Sequence, residues 1–140
     1  MKFTDNRDRQ IIDELRKDAR ISIRELASKT KQKRSTIHDR ISKLVSEGVI
    51  EKFTVKLDNK KADEQFIAFV FIAAAKEPKS IFDHNIVKEI FRISGEFDIL
   101  LKIKCKDISE FNEFVLQLKK ANEIKKFSTT ICIDTMKEEV

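Results

Sequence analysis

The sequence predicts an α+β fold in two parts, three short helices and a connecting strand followed by a layer of strands and helices. Apolar residues from Ile11 to Val45 recur every three or four positions, the period of amphipathic helices. Beyond residue 65 that spacing gives way to a dense apolar run, Gln65 to Ala75, and to strict alternation from Ile99 to Lys104, the patterns of buried and half-buried strands. Charge divides in the same way. Residues 1–60 carry 16 Lys and Arg against 10 Asp and Glu, a balance of +6, whereas residues 61–140 carry 13 against 14, a balance of −1.

Asp5 stands where a cap satisfies the first free amides of a helix, and Ile11, Ile12 and Leu15 then share one face while Arg7, Arg9, Arg16 and Lys17 turn to water. Asp18 to Ile21 breaks the period. Ser22 with Glu25 has the form of a capping box opening a second helix, Ile23 to Thr30. After Lys31, Gln32 and Lys33, helical spacing resumes at Ile37, Ile41, Leu44 and Val45 and stops at Gly48, which suits a left-handed helix end; the third helix runs from about Arg34 to Glu47. Two short helices joined by a tight turn form a helix-turn-helix, and the leading helix closes the third side of its core. Val49 to Leu57 reads as a strand, which makes the arrangement winged-helix-like. Asp58 to Glu64 is polar and aperiodic, a linker, so the domains are residues 1–64 and 65–140.

Gln65 to Ala75 opens the second domain as a strand. Pro78 to Ser94 supports two readings: Phe82, Ile86, Ile90 and Ile93 fit a helix, while Val87, Glu89, Phe91 and Ile93 share one face of a strand. Gly95 to Asp98 is a turn, and Ile99, Leu101 and Ile103 alternate with Leu100, Lys102 and Lys104 in a strand. Ser109, Phe111, Phe114, Val115 and Leu118 mark an amphipathic helix, and Phe127 to Asp134 a last strand.

With 41% hydrophobic and 38% charged residues, the 140-residue chain has the composition of a globule with a heavily ionised surface. The charged sequence after Met1 and the lack of any apolar run of about 18 residues predict neither leader nor membrane span, hence a cytoplasmic protein. Cys105 and Cys132 lie apart from each other and from any histidine at metal-ligand spacing, so both are expected to be buried strand residues, with no metal, cofactor or disulfide. No nucleophile has a base nearby in sequence, and no Gly-rich phosphate loop occurs.

A basic module beside a neutral one implies an anionic partner for the first, and nucleic acid is the commonest. Lys29, Lys31, Lys33 and Arg34 gather where the free amides and dipole of the third helix already favour a phosphate. With Ile37, Ile41 and Leu44 facing the core, the opposite face of that helix presents Ser35, Thr36, Asp39, Ser42 and Lys43, with His38 at its edge, as base-reading positions. Arg40 lies nearer the core flank and is expected to touch phosphate. His38 also reads as an ordinary surface histidine, and His84 as a structural one.

The run Asp8, Ile11-Ile12, Leu15, Asp18-Ala19-Arg20-Ile21-Ser22, Glu25-Leu26-Ala27, Arg40, Leu44 and Gly48-Val49-Ile50 resembles the N-terminal domain of the Lrp/AsnC ("feast or famine") transcription regulators. Ser94-Gly95-Glu96-Phe97-Asp98-Ile99-Leu100-Leu101 resembles the Gly-x-x-Asp turn of that family's regulatory domain, and Thr130 to Ile133 its final strand. The resemblance implies a ferredoxin-like βαββαβ second domain, with about Val87 to Ser94 a strand paired to Ile99–Lys104. It also implies double-stranded DNA, the transcription machinery and a second copy of the chain as partners, with tetramers or octamers above the dimer. The implied effector is an amino acid bound at an interface between regulatory domains near Gly95, Glu96, Phe97 and Asp98, where Gly95 permits a positive φ and Asp98 can pair with an α-ammonium group; the alternative is a plain hairpin turn whose Asp98 caps local amides. Lys31 replaces the family's turn glycine, Lys33 its serine cap, and the regulatory domain's first helix is shortened to about Lys79–Ile86. Sirohaem decarboxylases resemble the same family, but two histidines and no tyrosine suit a tetrapyrrole pocket poorly. A partner subunit that assembles with a DNA-binding homologue is a further alternative, against which the basic N-terminal half argues. The high Lys, Glu and Ile content resembles archaeal and thermophilic proteins.

Overall fold

The computed structural model describes residues 5–139; Met1 to Thr4, on which part of the reading of an absent leader rests, lie outside the described residues. The chain divides into two compact units, one ending at Lys56 and one spanning Leu57–Glu139.

In the first unit, α1 (Asn6–Lys17), α2 (Ile23–Thr30) and α3 (Arg34–Ser46) follow the predicted spacing within a residue. The reciprocal capping box lies at α1. The Asp5 carboxylate accepts from the Asp8 N–H at 2.9 Å, and the Asp8 carboxylate accepts from the Asp5 N–H at 3.2 Å. At α2 the Ser22 hydroxyl accepts from the Glu25 N–H at 3.1 Å, which is half of the box expected there. Ile11, Leu26 and Ile37 are fully buried at the centre, with Leu15, Ile21, Ala27 and Ile41 packed around them. Gly48 ends the third helix at φ +74, and the Val49 and Ile50 amides return to the Leu44 carbonyl.

The predicted strand Val49–Leu57 does not form. Residues 51–58 form neither helix nor strand and are exposed, with Phe53, Val55 and Leu57 at 53%, 70% and 57% exposure. A strand needs a neighbouring strand for its backbone groups, and this segment has none among the described residues. The polar stretch after it is an ordered turn rather than a slack linker. Its Lys61 N–H donates to the Asp58 carboxylate at 3.0 Å, Asn59 accepts from Lys104, and Glu64 pairs with Lys88 at 2.7 Å.

The second unit is a four-stranded antiparallel sheet of β1 (Phe66–Ala74), β2 (Val87–Arg92), β3 (Ile99–Cys105) and β4 (Ile124–Ile131), in the order β2-β3-β1-β4. The one-turn α4 (Lys79–Phe82) follows β1, and α5 (Ile108–Lys120) follows β3, giving the ferredoxin-like βαββαβ order. The ambiguous stretch Pro78–Ser94 thus divides: its beginning is helix, its end a strand paired to β3 from Val87↔Ile103 to Arg92↔Ile99. One sheet face, with Ala68, Val70, Ile72, Leu101, Ile103 and Cys105, packs on Phe111, Phe114 and Leu118 of α5. Burial of three large α5 side chains contributes roughly 1.5–3 kcal/mol each. Cys105 is buried as expected, whereas Cys132 lies just beyond β4 and is half-buried, because the chain leaves the sheet there.

The outer face follows from the register: Phe69 lies opposite Lys102, Phe71 opposite Leu100 and Ile67 opposite Lys104, while Glu89 and Phe91 of β2 oppose Lys102 and Leu100. Glu138, after β4, reaches this face and bridges Lys102 and Lys104. The two lysines hold its carboxyl down, from the ordinary 4.5 to about 2. Since the folded value lies below the unfolded one, the pairing stabilises fully above about pH 4.5 and its contribution is lost as pH falls towards 2. Thermal midpoints measured from pH 6 to pH 2 should therefore show Glu138→Gln below the native chain at pH 6 and converging with it in acid. Parallel curves would mean that the pairing adds nothing.

Candidate nucleic-acid interface

Burial of Ile37 and Leu44 fixes the roll of α3 and leaves Arg34, Ser35, His38, Asp39, Ser42 and Lys43 exposed on its other side, with Thr36 half-buried at the margin. The base-reading residues expected from the helical period therefore share one accessible face. His38 and Asp39 are neighbours there, with Nδ1 3.6 Å from the carboxylate.

Before α3 the chain makes a tight turn. Lys31 adopts the left-handed conformation, φ 54 and ψ 42, and caps α2 as a glycine would, with the Gln32 N–H donating to the Ala27 carbonyl at 3.1 Å. Gln32 fastens the turn to α1 through its amide, which donates to the Arg7 carbonyl at 3.4 Å. Lys33 is the N-cap of α3 and makes no side-chain hydrogen bond to the first turn. The first amides of α3 thus have no side-chain cap, with exposed Lys31, Lys33 and Arg34 around them, a set of donors and positive charges suited chemically to an anion. Lys29 does not join that cluster. It ends α2, and its ammonium lies 3.3 Å from Glu14 of α1, which Lys17 also pairs at 2.8 Å.

Arg40 is placed differently from the other predicted contacts. Its guanidinium reaches back to α1, donating to both Asp5 oxygens at 3.0 and 2.9 Å and to Asp8 at 2.9 Å. Asp5 is held below the ordinary carboxylate range, first by the Asp8 amide and then by Arg40, and Arg40 is raised by Asp5 and Asp8. Its side chain is largely buried and ties α3 to α1. Sequence reasoning missed this role: Asp5 and Asp8 read as capping acids, and nothing in the spacing joins them to a residue more than thirty positions away. Arg40→Gln is expected to lower the melting temperature of the first unit by roughly 4–8 °C, because charged hydrogen bonds to a mostly buried Asp8 are removed. An unchanged melting curve would show the pairing to be incidental.

In the second unit Gly95 (φ +118), Glu96, Phe97 and Asp98 stand together in the turn from β2 to β3. The turn is built into the sheet. One Asp98 carboxylate oxygen accepts from the Ala74 N–H at 3.1 Å, its amide donates to the Ile72 carbonyl at 2.8 Å, and its carbonyl accepts from the Ile93 N–H at 2.8 Å. Glu96 pairs with Lys126 at 2.7 Å, and that ammonium also stands 5.2 Å from the Phe97 ring centroid. Phe97 packs on Phe71, 5.8 Å between ring centres. His84 packs edge-on against Phe114 at 5.1 Å, while burial, then the Glu110 charge, pushes the Cys105 thiol up to about 11. Neither is placed as a nucleophile and base.

A helix-turn-helix whose exposed face is basic at its leading end, joined to a ferredoxin-like unit, defines a two-domain protein that binds nucleic acid through the first. Comparison with known proteins carries this further. Residues 4–51 match the family described as winged helix-turn-helix DNA-binding, and residues 78–140 match the Lrp/AsnC ligand binding domain. An HTH-type transcriptional regulator of Pyrococcus furiosus is 35% identical over 97% of each chain, and one of Pyrococcus abyssi is 33% identical over 97% of each. Among solved structures, an AsnC family transcriptional regulator from Agrobacterium tumefaciens superposes with a TM-score of 0.90 at 26% identity, covering 97% of this chain and 94% of that one. The structure of Bacillus subtilis LrpC superposes at 0.86 and 26% identity, covering 99% and 100%. The chain belongs to the Lrp/AsnC family of transcription regulators. A Neisseria meningitidis regulator solved with L-Met, 21% identical, shares the fold with a TM-score of 0.90 over 97% of this chain and 94% of that one.

Proposed function

We propose that the chain regulates transcription by binding double-stranded DNA as a homodimer, with α3 of each copy in a major groove. Lys31, Lys33 and Arg34 hold phosphates, while Ser35, Thr36, His38, Asp39, Ser42 and Lys43 face base edges. The observation that carries this reading is the division of α3 into a core face fixed by Ile37 and Leu44 and an opposite face bearing exposed Ser35, His38, Asp39, Ser42 and Lys43, with Thr36 at its margin. A single helix-turn-helix reads too few base pairs for useful specificity, and a two-fold dimer doubles them. The segment 51–58, where exposed Phe53, Val55 and Leu57 alternate with polar residues along the sequence, fits a strand that finds its neighbour in a second copy. The relatives are regulators, and the chain acts by binding and not by catalysis.

Selection of bound duplexes from a random library tests the reading. The expected product is two inverted half-sites whose centres lie roughly 10 or 21 base pairs apart, one or two turns of DNA. Absence of enrichment, or a lone half-site bound by a monomer, contradicts it. The turn Gly95–Asp98 is the proposed effector site, for an amino acid whose ammonium meets the second Asp98 oxygen. A thermal shift with one of the twenty amino acids that disappears in Asp98→Ala supports the assignment; no shift at millimolar concentration makes the turn structural.

A further inference from the structure

Among the 13 residues of α3, Asp39 alone is acidic. At about 100° per residue it lies roughly 200° from both Ile37 and Ile41, which face the core, so it stands at the middle of the exposed face. Ser35 and Ser42 flank it one turn to either side, both short and both exposed. The Asp39 side chain is 84% exposed and projects furthest from that line.

Nothing in the fold of the first unit accounts for a carboxylate at this place. Other acids of the unit have partners: Asp5 and Asp8 hold Arg40, and Glu14 holds Lys17 and Lys29. Asp39 accepts no hydrogen bond among the described residues. Its one ion contact is with His38, whose Nδ1 is 3.6 Å from Oδ1, too long for a hydrogen bond, so both oxygens keep their capacity to accept. It lies in the second turn of α3, past the free amides and the positive end of the dipole that favour an acid at a helix start, and aspartate is a poor residue for a helix interior.

Carried into a groove flanked by phosphates, this carboxylate loses its water, is repelled, and needs a donor in return. Major-groove edges offer amino donors on cytosine and adenine only; guanine presents two acceptors, and thymine an acceptor and a methyl group. Adenine sets its N7 acceptor beside the amino group, which suits an amide and repels a carboxylate. Cytosine offers the N4 amino group without that neighbour.

We propose, resting on the placement of α3 in a major groove, that Asp39 is a specificity-determining residue that accepts from the N4 amino group of one cytosine in each half-site. Loss of the carboxylate then acts in opposite directions on two kinds of DNA. It weakens binding to the preferred duplex and, by taking a negative charge out of the interface, strengthens binding to random duplex.

Selection of bound duplexes from a random library, run with the full native chain, Asp39→Asn and Asp39→Ala, tests the assignment. The native half-site is expected to hold a fixed cytosine at one position. Asp39→Asn should change that position alone to adenine, which an amide contacts at N6 and N7, and Asp39→Ala should leave it without preference. Both variants should keep the fold, since the side chain is exposed and neither replacement is worse than aspartate in a helix. N4-methylcytosine at the same position turns a methyl group to the groove in place of the amino hydrogen. It should weaken binding of the native chain by about tenfold and leave that of Asp39→Ala unchanged. Unchanged preferences in both variants, a preference lost at a position that is not cytosine, or equal weakening of the native chain and Asp39→Ala by the methyl group would overturn the proposal and leave α3 as the reading helix. Enrichment of no sequence by the native chain would overturn both.

Discussion

Lys33→Glu is expected to weaken binding to every duplex by roughly tenfold or more at moderate salt and to flatten the dependence of affinity on salt by about one to two ions. The Lys33 side chain makes no hydrogen bond to the first amides of α3, and Lys31 and Arg34 stand exposed on either side of it. A phosphate held there releases a condensed counterion, which gives a slope of about −0.9 per contact. Reversal of the charge both removes that interaction and repels the strand. Sequence preference should be unchanged, because phosphates carry no base information. Lys31→Gly provides the complementary case: it removes a charge but places glycine at φ 54, where a side chain is strained, so affinity should fall without loss of stability. Titrations of specific and random duplexes across a salt series check both variants. Unchanged affinity of Lys33→Glu at low salt would remove the phosphate site.

Ile37→Ala is expected to abolish specific binding by a different route. Ile37 is fully buried on α3 between Thr36 and His38, and its neighbours at the centre of the first unit are Ile11 and Leu26. Truncation in such a core costs about 2–5 kcal/mol, the forfeited transfer energy together with the cavity left behind. Against a total stability of about 5–15 kcal/mol, that loosens a three-helix unit whose core is small. The sheet domain has its own core and should keep its fold. Amide spectra should then show loss of dispersion for residues 5–50 with the sheet resonances unmoved. Retention of native melting and DNA affinity would mean that α3 is held by something other than this packing.

The helices of the first unit were legible because their signals are local: caps at Asp5 and Ser22, a period of three to four, and a glycine at the end of the third. The exposed face of α3 followed from the same period, since fixing Ile37 and Leu44 inward fixes Ser42 and Lys43 outward. Local signals fail where the deciding partner is distant. Arg40 read as a residue near the core flank that touches phosphate, and only tertiary packing brings Asp5 and Asp8 to it. Val49–Leu57 carries the residues of a strand, but a strand is a property of two segments, and the second is not found among the described residues. Pro78–Ser94 held two periods at once, and its division into α4 and β2 depends on pairing with β3, which no window of sequence contains. The Lys102–Glu138 pairing has the same character, since the alternation of β3 predicts a polar outer face but not the carboxylate that comes to lie on it.

The central claim is that the exposed face of α3 reads bases while its leading end holds phosphate, and it is tested most directly by the ratio of specific to random-duplex affinity in a chain carrying Thr36→Val, Ser42→Ala and Lys43→Met. The account predicts that the ratio falls by roughly tenfold or more, about 1–3 kcal/mol for each base-edge hydrogen bond removed, while the melting temperature stays within a few degrees and binding to random duplex persists. The same preferred sequence, bound with the same ratio, would contradict it.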